Sequence, residues 1–211
     1  MRNYSNCLLD PSDAAVVIID HQPQMYFGIE SISRGTLLNN VVGLAKTAQA
    51  FKVPCILSTV EAQAFSGMLC SKLQTVYPDI VPIDRTCINA WEDVKLKRAV
   101  EGTTKRKIIL AGLWTEACVT FPALSMLSDG YEIYVVSDAC GGVSREAHYA
   151  AIRRMTQAGA IPVTWQQVML EFQRDWNNKS TYNAVMTIIK EHGGAYGLGA
   201  EYAETMLPPK A

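Results

Sequence analysis

The chain has few histidines, at positions 21, 148 and 192, and they do not fall at the spacings of metal ligands. Each is read as a core or solvent histidine, so no metal is expected, and no other cofactor. A glycine-rich phosphate loop is also missing: the pair Gly141-Gly142 is too sparse for a dinucleotide fingerprint. No stretch approaches the roughly 18 apolar residues of a membrane span, and the opening MRNYSNCLLDPSD is too polar for a signal peptide. Nor is there charge of one sign to speak of. Nineteen Lys and Arg are dispersed among twenty Asp and Glu, for a net charge of -1, which leaves no footprint for nucleic acid or for an anionic membrane. The expected partner is a small molecule and the expected location the cytoplasm. Six cysteines, at positions 7, 55, 70, 87, 118 and 140, show no C-x-x-C pairing and are read as reduced thiols. With no internal repeat or low-complexity segment, 211 residues fit a single domain with an ample core.

What is present alternates. Ala14 to Ile19 (AAVVII) lacks the polar-apolar alternation of a half-exposed strand and reads as a fully buried one, stopping at Asp20 and the loop His21, Gln22, Pro23. A helix is expected from about Thr36 to Lys52, then a strand over Pro54 to Thr59. Turns around Tyr77-Pro78 and Val81-Pro82 lead to a brief strand at Ile83 to Arg85. A helix from about Trp91 to Glu101, with Gly102 as its C-cap, precedes a buried strand over Ile108 to Ala111. The next helix runs from Cys118 to Asp129, followed by a strand at Tyr131 to Ser137, a helix at Ser144 to Gln157 and a strand at Ile161 to Trp165. The tail is helical to about His192 and carries Trp165, Phe172, Trp176 and Tyr182, aromatics suited to docking on the domain or on another subunit. Strands alternating with helices imply an α/β fold, a doubly wound, Rossmann-like parallel sheet with helices on both faces.

Ligands of such sheets bind outside the carboxyl ends of the strands. Three residues gather at that edge: Asp20 after the first strand, Arg85 after the third and Cys118 after the fourth. Taken alone, Asp20 is an ordinary loop carboxylate, Arg85 a surface guanidinium and Cys118 a buried structural thiol. Together they form a nucleophile set in which the carboxylate takes the thiol proton and the cation holds the carboxylate. In the stretch KIILAGLWTEACV the restart at Thr115 looks like a helix N-cap. That places Cys118 among exposed amide hydrogens that favour a thiolate, against the like charge of Glu116 and with Pro122 kinking the first turn. The amides of Trp114 and Cys118 are candidates for an oxyanion hole, and Phe27, Trp91 and the Trp114 ring for an aromatic-lined pocket. A weaker alternative pairs Cys118 with His148, which lies in a helix and not at a strand end.

These residues resemble the isochorismatase-like cysteine hydrolases, and among them the YcaC-related branch. The likeness rests on DAAVVIIDHQ at 13 to 22, INAW at 88 to 91, GLWTEACVTFPALS at 112 to 125, VVSDACG at 135 to 141, RMTQAGA at 154 to 160 and RDW at 174 to 176. It covers about 13 to 176 and leaves a helical extension from about 177 to 211. It implies a six-stranded parallel sheet flanked by helices, a cis peptide at Leu113-Trp114, and a catalytic triad of Asp20, Arg85 and Cys118. Arg85 departs from the lysine of most of the family, though the YcaC-like branch carries arginine there. Arginine keeps the charge but does not shuttle a proton. The metal-binding histidines of nicotinamidases are absent from 58 to 73, which argues against that activity. Cys118 argues for acyl transfer, hence for hydrolysis of a small amide or related C–N bond through a thioester. The branch also implies a homo-oligomer, an octamer. A ligand-binding or thiol-redox protein on the same scaffold is the alternative.

Overall fold

An apolar run without alternation has two faces to bury. Ala14–Ile19 (β1) buries all six of its residues, between Cys55–Val60 (β2) on one side and Lys107–Gly112 (β4) on the other. The structure, a computed structural model, describes residues 8–207. Ile83–Arg85 (β3) adds to β2, and Glu132–Val136 (β5) and Ile161–Val163 (β6) extend the sheet beyond β4. All six strands run parallel in the order β3-β2-β1-β4-β5-β6, the doubly wound sheet expected. From β1 the chain winds outward to β3, returns to β4 and winds outward the other way. The direction therefore switches between β1 and β4, where a crevice opens at their carboxyl ends.

The helices are Pro23–Phe27 (α1), Arg34–Ala50 (α2), Ser71–Val76 (α3), Val94–Gly102 (α4), Thr120–Ser128 (α5), Arg145–Ala158 (α6), Trp165–Gln173 (α7), Lys179–His192 (α8) and Ala195–Met206 (α9). They form two layers, α2 with α3, α7 and α8 in one and α5 with α6 in the other, as crossovers of one hand require. Hydroxyl caps set three of the starts. Ser33 accepts from Thr36 N at 3.1 Å before α2, Ser144 from Ala147 N at 3.0 Å before α6, and Thr164 from Gln167 N at 3.3 Å before α7.

Several local expectations are corrected. The Ser33 cap moves the start of α2 upstream of Thr36. Gly102 is the last residue of α4, and Thr103 is its C-cap. Trp165 opens α7 instead of closing β6, because its amide donates to Asp138 Oδ1 at 2.9 Å and leaves the sheet. The tail is three helices, not one run, and its aromatics part company. Trp165 and Phe172 are buried, the latter against Phe51 with ring centroids 5.5 Å apart, while Trp176 is 42 % exposed. Cys7 lies outside the described residues, and the other five cysteines are free thiols. Among the described residues no helix is long and apolar enough to cross a membrane.

Candidate active site

The chain leaves β1 at Asp20 with φ of 56°, a left-handed conformation that aspartate tolerates better than most residues. Its amide still donates to Ser58 O at 2.9 Å, so the carboxylate is anchored by the sheet itself. Asp20, His21 and Gln22 are all fully buried, although they are polar and follow the strand directly. Gln22 explains its own burial. Its side-chain amide donates to Val60 O and Gly67 O and its Oε1 accepts from Val60 N at 2.9 Å, tying the loop after β2 to the end of β1. His21 Nδ1 lies 2.8 Å from the Tyr26 hydroxyl, and burial holds the imidazole neutral, its pKa lowered to about 3.

Arg85, at the end of β3, is no surface guanidinium. Its side chain and that of Asp20 are both 0 % exposed, with Nη2 2.7 Å from Asp20 Oδ2 and Nη1 donating to Cys87 O at 2.8 Å. The Cys118 thiol hydrogen-bonds the same carboxylate, so the three residues gathered from the ends of β1, β3 and β4 form one buried cluster. Burial pushes the Asp20 carboxyl up to about 6, while the Arg85 cation beside it pulls the other way. Burial, and then the Asp20 charge, push the Cys118 thiol up to about 12. This corrects the expectation of a thiol poised as thiolate: removal from water outweighs what the helix start and Arg85 offer. At neutral pH the cluster rests as thiol, carboxylate and guanidinium.

The local reason is the shape of the turn. Thr115 is not an N-cap; Thr115–Val119 form a π-helical turn entered from Trp114, which makes no side-chain cap bond. Val119 N reaches back to Trp114 O at 3.3 Å, and α5 begins only at Thr120. Pro122 thus stands in the first turn of α5, where an amide has no intrahelical partner to lose. The Thr115 hydroxyl lies 2.9 Å from His148 Nδ1, so His148 partners a side chain of the turn and the Cys118–His148 pairing does not form. Two further bonds hold the turn to the segment before α6: Thr115 N to Gly141 O at 2.9 Å and Val143 N to Glu116 Oε1 at 3.0 Å. No local pattern announced these contacts, which join residues far apart in sequence.

The peptide bond between Leu113 and Trp114 is cis. The Trp114 indole donates to Met25 O at 2.9 Å and packs on Gly28 so closely that a Cβ there would sit 2.7 Å from Cζ2. Phe27 is next to that contact in the chain, but its own ring is 69 % exposed. Trp91 is a correction. Its Nε1 donates to Asp129 Oδ2 at 2.9 Å and its ring meets Tyr131 edge-on at 5.3 Å, just before β5 begins. That is the amino edge of the sheet, opposite Asp20, and the ring takes no part in the pocket.

The isochorismatase-domain family model matches residues 14–167. Probable hydrolase YcaC of Escherichia coli is 39 % identical over 171 residues, 81 % of this chain and 82 % of the relative. Isochorismatase domain-containing protein 2A of Mus musculus is 28 % identical over 149 residues, 70 % of this chain and 69 % of its own. Among solved structures, YcaC from Pseudomonas aeruginosa with hexane-2,5-diol and covalent acrylamide is 36 % identical with a TM-score of 0.89, covering 94 % of this chain and 98 % of that one. The E. coli YcaC structure, an octameric hydrolase of unknown specificity, is 37 % identical with a TM-score of 0.88 over 93 % and 97 % of the two chains.

Proposed function

This chain belongs to the isochorismatase family, and from that premise we propose that it is a cysteine-dependent hydrolase of a small amide or related C–N bond, working through a thioester. The observation that carries the reading is the buried cluster of Cys118, Asp20 and Arg85, in which a nucleophile and a fixed cation both bond the carboxylate that accepts the proton.

The chemistry follows from the resting protonation. Because the thiol holds its proton at neutral pH, that proton passes to Asp20 as sulfur attacks the carbonyl carbon, not before. The new S–C bond leaves an oxyanion, for which the amides of Trp114 and Cys118 are the proposed donors. Collapse breaks the C–N bond, and Asp20 returns the proton to the departing amine. Water then attacks the thioester, Asp20 takes its proton, and the proton goes to sulfur as the acid leaves. Arg85 stays charged throughout, favours the ionised form of Asp20 before each proton transfer and holds its orientation, a task that needs no proton shuttling. Trp114, pinned by Met25 O and Gly28, is the proposed wall of the substrate pocket, with Phe27 at its rim. The covalent acrylamide on the P. aeruginosa relative is a small amide bonded to a protein of this kind, which fits the size of substrate proposed. The octameric state of E. coli YcaC supports a homo-oligomer here, and the free thiols suit a cytoplasmic setting.

The test is intact-mass labelling at neutral pH with a limiting thiol alkylator, followed by a panel of small amides. One label should go selectively to Cys118, slowing in Asp20→Asn and Arg85→Ala, and a turned-over amide should leave a transient acyl mass on the wild type that Cys118→Ala lacks. Labelling spread evenly over the cysteines, with no acyl mass, would sink the proposal.

A further inference from the structure

The last two residues of β3 go separate ways. Successive side chains of a strand leave opposite faces, so Arg85 turns to the Cys118 cluster and Asp84 to the other side of the sheet. There Asp84 borders a cleft of about 910 Å³ between the loop after β2, the helix α3 and the segment that leads into β3. Its size falls within the range of small-molecule sites, and the chemistry proposed above makes no use of it. The walls are mainly apolar, from Met68, Leu69, Pro78, Val81 and Pro82, with Met68 61 % and Val81 85 % exposed. Among the described residues that line the cleft, Asp84 is the only charged one.

The polar groups of the lining favour one kind of ligand. The Thr59 hydroxyl donates to Asp84 Oδ1 at 2.8 Å, and the Thr75 hydroxyl to Ser71 O at 2.9 Å. Gln74 commits both N–H groups of its side chain, to Tyr77 O at 2.7 Å and Ile80 O at 3.0 Å, and Gln63 gives one to Met68 Sδ at 3.3 Å. Donors are thus largely engaged within the protein, and what remains for a ligand is mostly acceptors: Gln74 Oε1, the threonine lone pairs and Asp84 Oδ2, which has no partner among the described residues. The carboxylate is also held in place, since its Oδ1 accepts from Ala62 N at 3.1 Å as well and so ties the loop after β2 to β3.

We propose that this cleft is a second ligand site, which takes a small organic cation with its ammonium group on Asp84 Oδ2 and its apolar body against Met68, Val81 and the two prolines. A neutral apolar ligand would cover the carboxylate and leave it unpaired, which costs free energy. An anion would face Asp84 and a lining of acceptors. A hard metal ion needs several oxygen ligands and would find one carboxylate. The site lies on a face of the sheet that the Cys118 cluster does not use, and the proposal stands whether or not the amidase reading does.

Saturation-transfer NMR titrations on the full chain at neutral pH compare phenethylamine with its neutral counterpart, phenethyl alcohol. The amine should bind saturably and about tenfold or more tighter than the alcohol, the worth of a hydrogen bond to a charged group. Asp84→Asn keeps the oxygen that accepts from Thr59 and Ala62, so the loop stays anchored, and should bring the amine down to the affinity of the alcohol. Val81→Lys, at an exposed position, sets a rival cation on the rim and should weaken the amine as well. An amine that binds no better than the alcohol overturns the proposal. So does one that binds either variant as it binds the wild type, since it then sits elsewhere; loss of that binding once Cys118 is alkylated would assign it to the catalytic cluster instead.

Discussion

Arg85 is where the electrostatics of the site can be separated from its nucleophile. Its guanidinium and the Asp20 carboxylate are both 0 % exposed, and breaking such a pair by removing one partner costs about 3–5 kcal/mol. The cation also opposes the burial that raises Asp20 to about 6. Removing it moves the carboxyl further up, since only the hydrogen bond from Cys118 then offsets desolvation; replacing it with another cation does not. If alkylation of Cys118 requires ionised Asp20, its rate falls on the acid side of the Asp20 pKa. The acid limb should therefore move to higher pH in Arg85→Met and stay close to wild type in Arg85→Lys, as read from the pH dependence of labelling by intact mass. An unmoved limb in Arg85→Met would mean that Arg85 does not hold the charge on Asp20. The gathering of the three residues was legible in the sequence because Asp20 and Arg85 end strands at one edge of a parallel sheet and Cys118 follows the end of a third strand there. The protonation of Cys118 was not, because burial is a property of the packed chain and outweighs the local helix-start signal.

The π-helical turn is the element that delivers Cys118, and its geometry is held from outside. Thr115 O accepts from the Thr120 hydroxyl at 2.6 Å within the turn, but the Thr115 hydroxyl and amide and the Glu116 carboxylate all bond to residues 141 to 148. Thr115→Val keeps the shape of the side chain and removes the hydroxyl, leaving His148 Nδ1 buried without its partner, at a cost of about 1–3 kcal/mol. His148→Gln breaks the same contact from the other end. In a double-mutant cycle by urea unfolding, the two substitutions should be less than additive by about 1 kcal/mol, and both should slow Cys118 labelling. Strict additivity would show that the contact contributes nothing. The strands were legible as apolar runs, since a strand buried on both faces leaves no other pattern. The start at Thr115 was misread because its hydroxyl bonds a residue 33 positions away, and short-range capping rules carry no information about such a partner. Trp91 was misplaced for a similar reason: the site it seemed to border lies at the carboxyl edge, and its indole bonds Asp129 at the other.

At the scale of the whole molecule, the buried groups that make the site also set how the fold responds to acid. His21 has its pKa lowered from 6.5 to about 3 by burial, so the unfolded chain binds the proton first. The stability linked to it is present above pH 6.5 and is lost as pH falls toward 3, in total roughly 5 kcal/mol. Asp20 has the opposite sign. Its pKa is raised from 3.8 to about 6, so the folded chain binds the proton first, and stability is gained as pH falls from 6 to about 4, roughly 3 kcal/mol. Asp138, also raised by burial, acts with Asp20, while His148 and His192, both lowered by burial, act with His21. Between pH 6 and 4 the two sets oppose each other and the slope should be shallow. Below pH 4 Asp20 is protonated in both states and no longer offsets the histidines, and Asp10 and Asp129, both held below 3.8 by the hydrogen bonds they accept, add to the loss, so stability should fall steeply. Urea midpoints from pH 8 to 3, at one protein concentration because an assembly would make them concentration-dependent, should trace that bend. A midpoint that climbs steadily on acidification would mean that His21 is not held neutral, and that the carboxylates at the carboxyl edge of the sheet govern the response alone.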